Sequence, residues 1–210
     1  LTIFRKKVFN DLGPYQPGHN TEDMEIAYRM QKNHYNIEHC NDAYVYTNTP
    51  SSIKKLYKQR LRWIYGFVNN TIDYRSILFR KKYGNFSFFT LPMGLISIVS
   101  VSCLFGKIVY SLSHFFYLKI LQFYTTGWHF DIKTFRIDLF FLNTQSFLFL
   151  IVLVYLLVLF SMVFGKKMSE NKWSLSIEMF YFFPIFSIIA PFWIVSAVYN
   201  TFLRRKPTWR

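Results

Sequence analysis

"LNTQSFLFLIVLVYLLVLFSMVF", Leu142 to Phe164, contains no charged residue and is followed by Gly165-Lys166-Lys167. About 20 consecutive apolar residues are enough to cross the hydrocarbon core of a bilayer. The run therefore reads as a transmembrane helix closed by a positive stop. Upstream, "FSFFTLPMGLISIVSVSCLFGKIVY", Phe86 to Tyr110, reads as a second span with one charge, Lys107, placed where its long side chain can snorkel. Downstream, "SLSIEMFYFFPIFSIIAPFWIVSAVYNTF", Ser174 to Phe202, carries Pro184 and Pro191, so it is expected as a kinked span or a broken, partly re-entrant helix. Between the first two lies a stretch from Ser111 to Phe141 whose Lys119, Asp131, Lys133, Arg136 and Asp138 are too frequent for a span. Its aromatic residues suit a segment lying on the membrane.

The whole chain fits this picture. Its 210 residues are 52% hydrophobic and 21% aromatic with a net charge of +14, which excludes a disordered polymer and an average soluble domain. Charges of both signs gather before Asn85, so two parts join near that residue. The opening "LTIFRKKVF" has neither a signal nor a transit peptide pattern and looks like the middle of a domain, so the chain is expected to be a fragment. Cys40 lies in a polar segment and Cys103 in an apolar run, with no CxxC spacing; neither a disulfide framework nor a zinc site is indicated.

The part before the spans reads as mixed α/β. "TEDMEIAYRMQKNHY", Thr21 to Tyr35, has Met24, Ala27, Tyr28 and Met30 at helical spacing behind Thr21, with Glu22 and Asp23 in the first turn, where the helix dipole favours anions. Glu25 reads as an ordinary first-turn charge. "NIEHC" (36–40) and "DAYVYTN" (42–48) alternate like strands, with Tyr44 and Tyr46 as strand packing. Ser51 or Ser52 opens a helix that carries nine Lys or Arg between Lys54 and Lys82 against one acid, Asp73. With Leu56, Trp63, Ile64 and Phe67 interleaved, it reads as an amphipathic interfacial helix. The expected organisation is 1–50, 51–85 and 86–210, with spans near 88–110, 143–164 and 177–203.

Three strings stand in order: "TED" at Thr21 to Asp23, "YVYTNTP" at Tyr44 to Pro50, and "QRLRWIYG" at Gln59 to Gly66. Together, ahead of spans, they resemble the C-terminal half of the membrane-bound family 2 glycosyltransferases, the processive synthases of hyaluronan, chitin, cellulose and poly-N-acetylglucosamine. "FRKKVFNDLGPY", Phe4 to Tyr15, is similar to the family's segment before TED, so the resemblance covers essentially the whole chain. It implies that 1–50 is the C-terminal part of a cytoplasmic GT-A-type nucleotide-sugar transferase domain, followed by the interfacial helix and about three spans of an integral plasma or inner membrane protein.

The resemblance also implies roles. Transfer with inversion needs one carboxylate to take the proton of an acceptor hydroxyl, and Asp23 is the family's base by position, with Glu22 and Thr21 as its setting. Arg62, with Arg60 less securely, would bind the donor pyrophosphate through forked hydrogen bonds, Gln59 would lie beside them, and Trp63 would floor the acceptor-sugar site. Positive charge and a divalent metal, Mg or Mn, would stabilise the leaving diphosphate.

Plainer readings stand beside these. Thr21 to Asp23 could be a helix cap with favourable charge, and Gln59 to Trp63 a snorkelling interfacial helix. His19, His34 and His39 match no metal spacing and receive no role. "NNT" at Asn69 to Thr71 is a sequon without meaning on a cytoplasmic face. The chain holds no DxD: Asp42, Asp73, Asp131 and Asp138 are isolated. It is therefore expected to be catalytically incomplete as it stands. Asn20 before TED, and Gly13-Pro14 in place of a commoner Gly-Gly, leave the sugar open.

The expected function is an inverting glycosyltransferase that extends a β-linked polysaccharide from a nucleotide sugar, a UDP-sugar by resemblance, onto a carbohydrate acceptor at the bilayer. Alternatives are a non-processive transferase acting on a lipid or protein acceptor, and a non-catalytic membrane subunit or channel whose basic helix gathers anionic headgroups. Nucleic acid is not expected, because the basic residues cluster beside spans. Three full crossings would put Arg204, Arg205, Lys206 and Arg210 opposite the basic cytoplasmic part; a re-entrant third segment would return them.

Overall fold

A computed structural model describes residues 2–38, 40, 43, 45–127, 144–170, 173 and 176–206. The main elements are helices: α1 (Lys6–Leu12), α2 (Glu22–Lys32), α3 (Ile53–Asp73), α4 (Leu91–Thr126), α5 (Thr144–Glu170) and α6 (Ile177–Phe202). Among the described residues there is no strand. The expected α/β class is therefore wrong for this chain, and the protein is helical. A strand needs a neighbour for its backbone N–H and C=O groups. In the strand-like run Val45 and Tyr46 are exposed, Tyr46 to 95%, and among the described residues none pairs with them as a strand. His39, Asn41, Asp42 and Tyr44 lie outside the described residues.

The chain divides into two compact units, Leu1–Gly106 with Ile188–Arg210, and Lys107–Ser187. In the first, α1 and α2 close a small core of Val8, Ile26 and Met30, with Phe4, Phe9, Leu12 and Tyr35 packed around it. A second core joins α2 to the start of α4 through Tyr28, Ile77, Tyr83 and Leu91, with Phe67, Tyr74 and Phe86 against it. Ile26 and Ile77 are fully buried, each worth about 2–3 kcal/mol of removed apolar area. The Tyr28 hydroxyl lies 2.7 Å from Thr71 Oγ1. Because Thr71 gives its own proton to the Phe67 carbonyl, Tyr28 is the donor.

Helix α3 begins at Ser52, whose hydroxyl accepts from the Lys55 N–H, and it packs along the C-terminal half of α6. Tyr57 donates to Ser196 Oγ at 2.7 Å and stands edge-on to Trp193, while Asn69 Nδ2 donates to Thr201 Oγ1 at 3.0 Å. Gly94 of α4 makes room for Phe67, since a Cβ there would lie 2.5 Å from Phe67 Cζ.

Three helical stretches are long and apolar enough to cross a membrane: Phe86–Thr125, Leu148–Met168 and Pro184–Phe202. Helix α4 does not stop near Tyr110. A π-helical stretch, Phe86–Thr90, leads into 36 helical residues, about 54 Å at 1.5 Å per residue. The first part of the segment expected to lie on the membrane thus continues the helix of the first candidate span, because Ser111 to Thr126 holds one full charge, Lys119, and nothing that breaks a helix. Asp131, Lys133, Arg136 and Asp138 lie outside the described residues.

Helix α6 is likewise one helix through Pro184 and Pro191, not the broken form expected from them. In the second unit, Pro184 deprives the Phe180 carbonyl of its donor four residues on. Tyr155 of α5 replaces that donor, giving its hydroxyl proton to Phe180 O at 2.6 Å. Neighbouring helices commonly restore a backbone group freed by proline in this way.

Candidate active site

The acidic turn is built from a left-handed loop. Gly18, His19 and Asn20 have φ of 45°, 54° and 71°, a region that costs most residues energy and that glycine enters freely. Gly18 is also required by space, because a Cβ there would lie 2.5 Å from Glu25 Cβ. The loop turns the chain so that α2 starts at Thr21 with Glu22 and Asp23 exposed in its first turn.

Thr21 occupies the cap position but its side chain does not cap. It is buried, and its hydroxyl donates to Gly18 O at 2.7 Å. Asn70 of α3 holds the same group from the other side, its amide donating to Thr21 Oγ1 at 3.0 Å and to Gly18 O at 3.2 Å. Gly66, one turn earlier on α3, allows this approach. A Cβ on Gly66 would come within 2.2 Å of Thr21 Oγ1 and 2.5 Å of its Cγ2. A second tie runs from His19, whose Nε2 lies 2.7 Å from Asp73 Oδ2 and whose ring meets Tyr65 edge-on.

Residues recurring every three or four positions share one stripe of a helix. Gln59, Arg62, Gly66, Asn70 and Asp73 follow that spacing. The last three carry the acidic turn, so the fold seats Thr21 to Asp23 on the stripe that continues, one and two turns away, through Arg62 and Gln59. Both are half-buried. Arg60 lies off the stripe, with its guanidinium 4.7 Å over the ring of Trp63, which is 38% exposed. One face of that indole is therefore covered by a cation, a favourable arrangement. Asp23 Oδ1 accepts from the Met24 N–H at 2.8 Å, leaving the other carboxylate oxygen to project from an exposed helix start.

Glu25 is not the ordinary first-turn charge its position suggests. It is buried, accepts from the Tyr74 hydroxyl at 2.6 Å and pairs with Arg29 at 3.1 Å. Arg29, also buried, donates to the carbonyls of Leu12 and Pro14. This pair locks α2 to the loop before it and to the end of α3. Burial first, and then the bond to Glu25, push the Tyr74 phenol well above its usual range. Burial likewise raises the Tyr28 phenol to about 12, and raises that of Tyr65.

Gly66, Asn70 and the Glu25–Arg29 pair escape the motif reading. One signal exists for the first: glycine inside a helix costs about 1 kcal/mol relative to alanine, so it calls for a packing reason.

Among the described residues no three His, Cys, Asp or Glu side chains converge as metal ligands. Asp73 is engaged by His19 and Glu25 by Tyr74 and Arg29. These groups do not compose a divalent-cation site.

An exposed carboxylate turn is docked on an arginine-bearing helix, in a chain whose later helices are long and apolar enough to cross a membrane. The family model described as "Glycosyl transferase family group 2" matches residues 1–203. The chain belongs to that family and is a glycosyltransferase, acting between a nucleotide-sugar donor and an acceptor. No curated protein and no solved structure matches it.

Proposed function

We propose that this chain is an inverting, processive glycosyltransferase that extends a β-linked polysaccharide from a nucleotide sugar, with a UDP-sugar as donor. One observation carries the reading: Thr21 is clamped between Gly66 and Asn70 on the helix stripe that also carries Gln59 and Arg62. This supports the reading, because transfer from a diphosphate requires its base and its phosphate-binding groups to be held on one rigid support.

In this reading Asp23 takes the acceptor hydroxyl proton as the oxygen attacks the anomeric carbon, the bond from that carbon to the β-phosphate oxygen breaks, and the nucleoside diphosphate leaves with the electron pair, its phosphates toward Arg62. Glu22 and Thr21 set the turn. The open face of Trp63 stacks on the acceptor sugar, and Arg60 holds the opposite face. A divalent cation, Mg or Mn, would be held by groups other than the carboxylates described above. The acidic turn and the basic helix face the cytoplasm, where nucleotide sugars are made.

The test is turnover of UDP-sugars by the full-length enzyme in membranes. Asp23→Asn should lower kcat by 100-fold or more, on the order of a lost general base, with donor affinity retained. Trp63→Ala should shorten the product while sparing donor hydrolysis. Unchanged turnover with Asp23→Asn rejects the base, and a product lengthened by one sugar rejects processivity.

A further inference from the structure

The turn between α3 and α4 is constructed to expose a large aromatic side chain. Phe79 adopts a left-handed φ of 57°, a conformation disfavoured for a bulky residue, yet its side chain is 66% exposed. Ser87, fully buried, holds the turn in place. Its hydroxyl donates to Ile77 O at 2.6 Å and accepts from the Arg80 N–H at 2.8 Å, while its carbonyl accepts from the Phe79 N–H. Phe79 meets Phe88 edge-on, and Phe88 and Phe89 are exposed in turn at the head of the first candidate span.

The same edge is cationic. Arg75, Arg80, Lys81 and Lys82 are exposed, and no acid occurs between Asp73 and Lys82, Asp73 itself being paired with His19. Helix α6 returns to this edge. Phe192 packs on Phe105, and further along Thr201 meets Asn69 of α3. Arg204, Arg205 and Lys206, all exposed, follow within five residues of that contact. Exposed rings at the mouth of a span match the aromatic belt of a membrane interface, and clustered Lys and Arg beside it match anionic headgroups. A free phosphate would account for the cations and leave the rings in water.

We propose that Phe79, Phe88 and the cations at Arg80–Lys82 and Arg204–Lys206 form a collar that binds anionic lipid headgroups. The collar fixes the register of α4. With Phe88 at headgroup level, a core of about 30 Å takes the next 20 or so residues and reaches Lys107, the single Lys, Arg, Asp or Glu between Phe86 and Leu118. It also puts the C-terminal end of α6 on the membrane face of the acidic turn.

The test uses the full-length enzyme in vesicles of phosphatidylcholine with one quarter phosphatidylglycerol. Electron spin resonance with spin-labelled phosphatidylglycerol and phosphatidylcholine reads the lipid held at the protein surface. The expected preference for the anionic lipid is about threefold or more, falling close to one in Arg80→Gln/Lys81→Gln/Lys82→Gln and in high salt. A nitroxide at Phe79→Cys should be reached better by oxygen than by a water-soluble nickel chelate, and one at Val99→Cys more so, with Tyr46→Cys as the aqueous reference. No preference in the wild type, a preference that survives the triple substitution, or a label at 79 as open to the chelate as one at 46 overturns the collar.

Discussion

Gly66→Ala isolates the contact on which the proposed site rests. The added methyl would lie 2.2 Å from Thr21 Oγ1, 2.5 Å from Cγ2 and 2.9 Å from Cβ, against an ordinary carbon contact of about 3.5 Å. Thr21 cannot swing aside, because it is buried and bonded to Gly18 and Asn70. Relief therefore requires α3 and the acidic turn to part by about 1 Å, which breaks the two Asn70 bonds. Overpacking costs about 1–3 kcal/mol and two buried hydrogen bonds about 1 kcal/mol each, while alanine returns about 1 kcal/mol of helix propensity. The net loss is about 2–4 kcal/mol.

At about 2–4 °C per kcal/mol for a chain of this size, that loss lowers the melting temperature by about 5–15 °C. The assay is thermal unfolding of the detergent-purified full-length enzyme, followed by sugar transfer below the transition. Gly106→Ala is the internal control, since a Cβ at Gly106 meets nothing within 4 Å, and it should be neutral or slightly stabilising. Adding Thr21→Ala to Gly66→Ala removes the two nearest clashing atoms and should restore part of the stability. If Gly66→Ala matches Gly106→Ala in both stability and transfer, the close approach of α3 to the acidic turn is refuted.

Three further outcomes follow from the same geometry. Glu25→Gln leaves the buried Arg29 with two carbonyls and no carboxylate; it should cost about 3 kcal/mol by denaturant unfolding, largely recovered with Arg29→Met. Tyr28 and Tyr74 have phenols raised in the folded state, so their contribution to stability is complete below the free value near 10; that of Tyr28 is lost as pH climbs through about 12, and that of Tyr74, raised further, at higher pH. Far-ultraviolet dichroism should show helix loss together with phenolate absorbance in that window, and phenols titrating near 10 with the helix intact would contradict their burial. Tyr155→Phe removes the donor to the Phe180 carbonyl and should destabilise by about 0.6–1.7 kcal/mol. In a Pro184→Ala background, where the helix supplies its own N–H, the cost should shrink toward zero, which a double-mutant cycle measures directly.

What could be read from the residues divides along a physical line. Spans were legible because an apolar run of sufficient length needs no partner to declare itself, as Leu148–Met168 shows. The start of α2 was legible for the same reason: cap chemistry and helical spacing are local. A strand is not local. Alternation in 42–48 promised a sheet, but the ladder had to come from elsewhere, and Tyr46 stands in solvent. Thr21 fails in the same way at the scale of one side chain. Its hydroxyl was expected to cap α2, but Asn70, distant in sequence, holds it beside Gly18 O. Glu25 reads as an ordinary first-turn charge because nothing near it in sequence announces Tyr74.

The two motifs themselves were visible as strings, whereas their meeting was not. It depends on a glycine that a helix tolerates only at a cost and on an asparagine dismissed as part of a sequon. Both lie on the stripe of Gln59 and Arg62, at spacings plain in the sequence once α3 is drawn as a helix. A glycine flanked at helical spacing by polar residues, on a helix otherwise free of breakers, marks here where a side chain from another segment comes to rest. In the proposed reading that resting place suits the acidic turn, because the same helix would present Arg62 to the diphosphate.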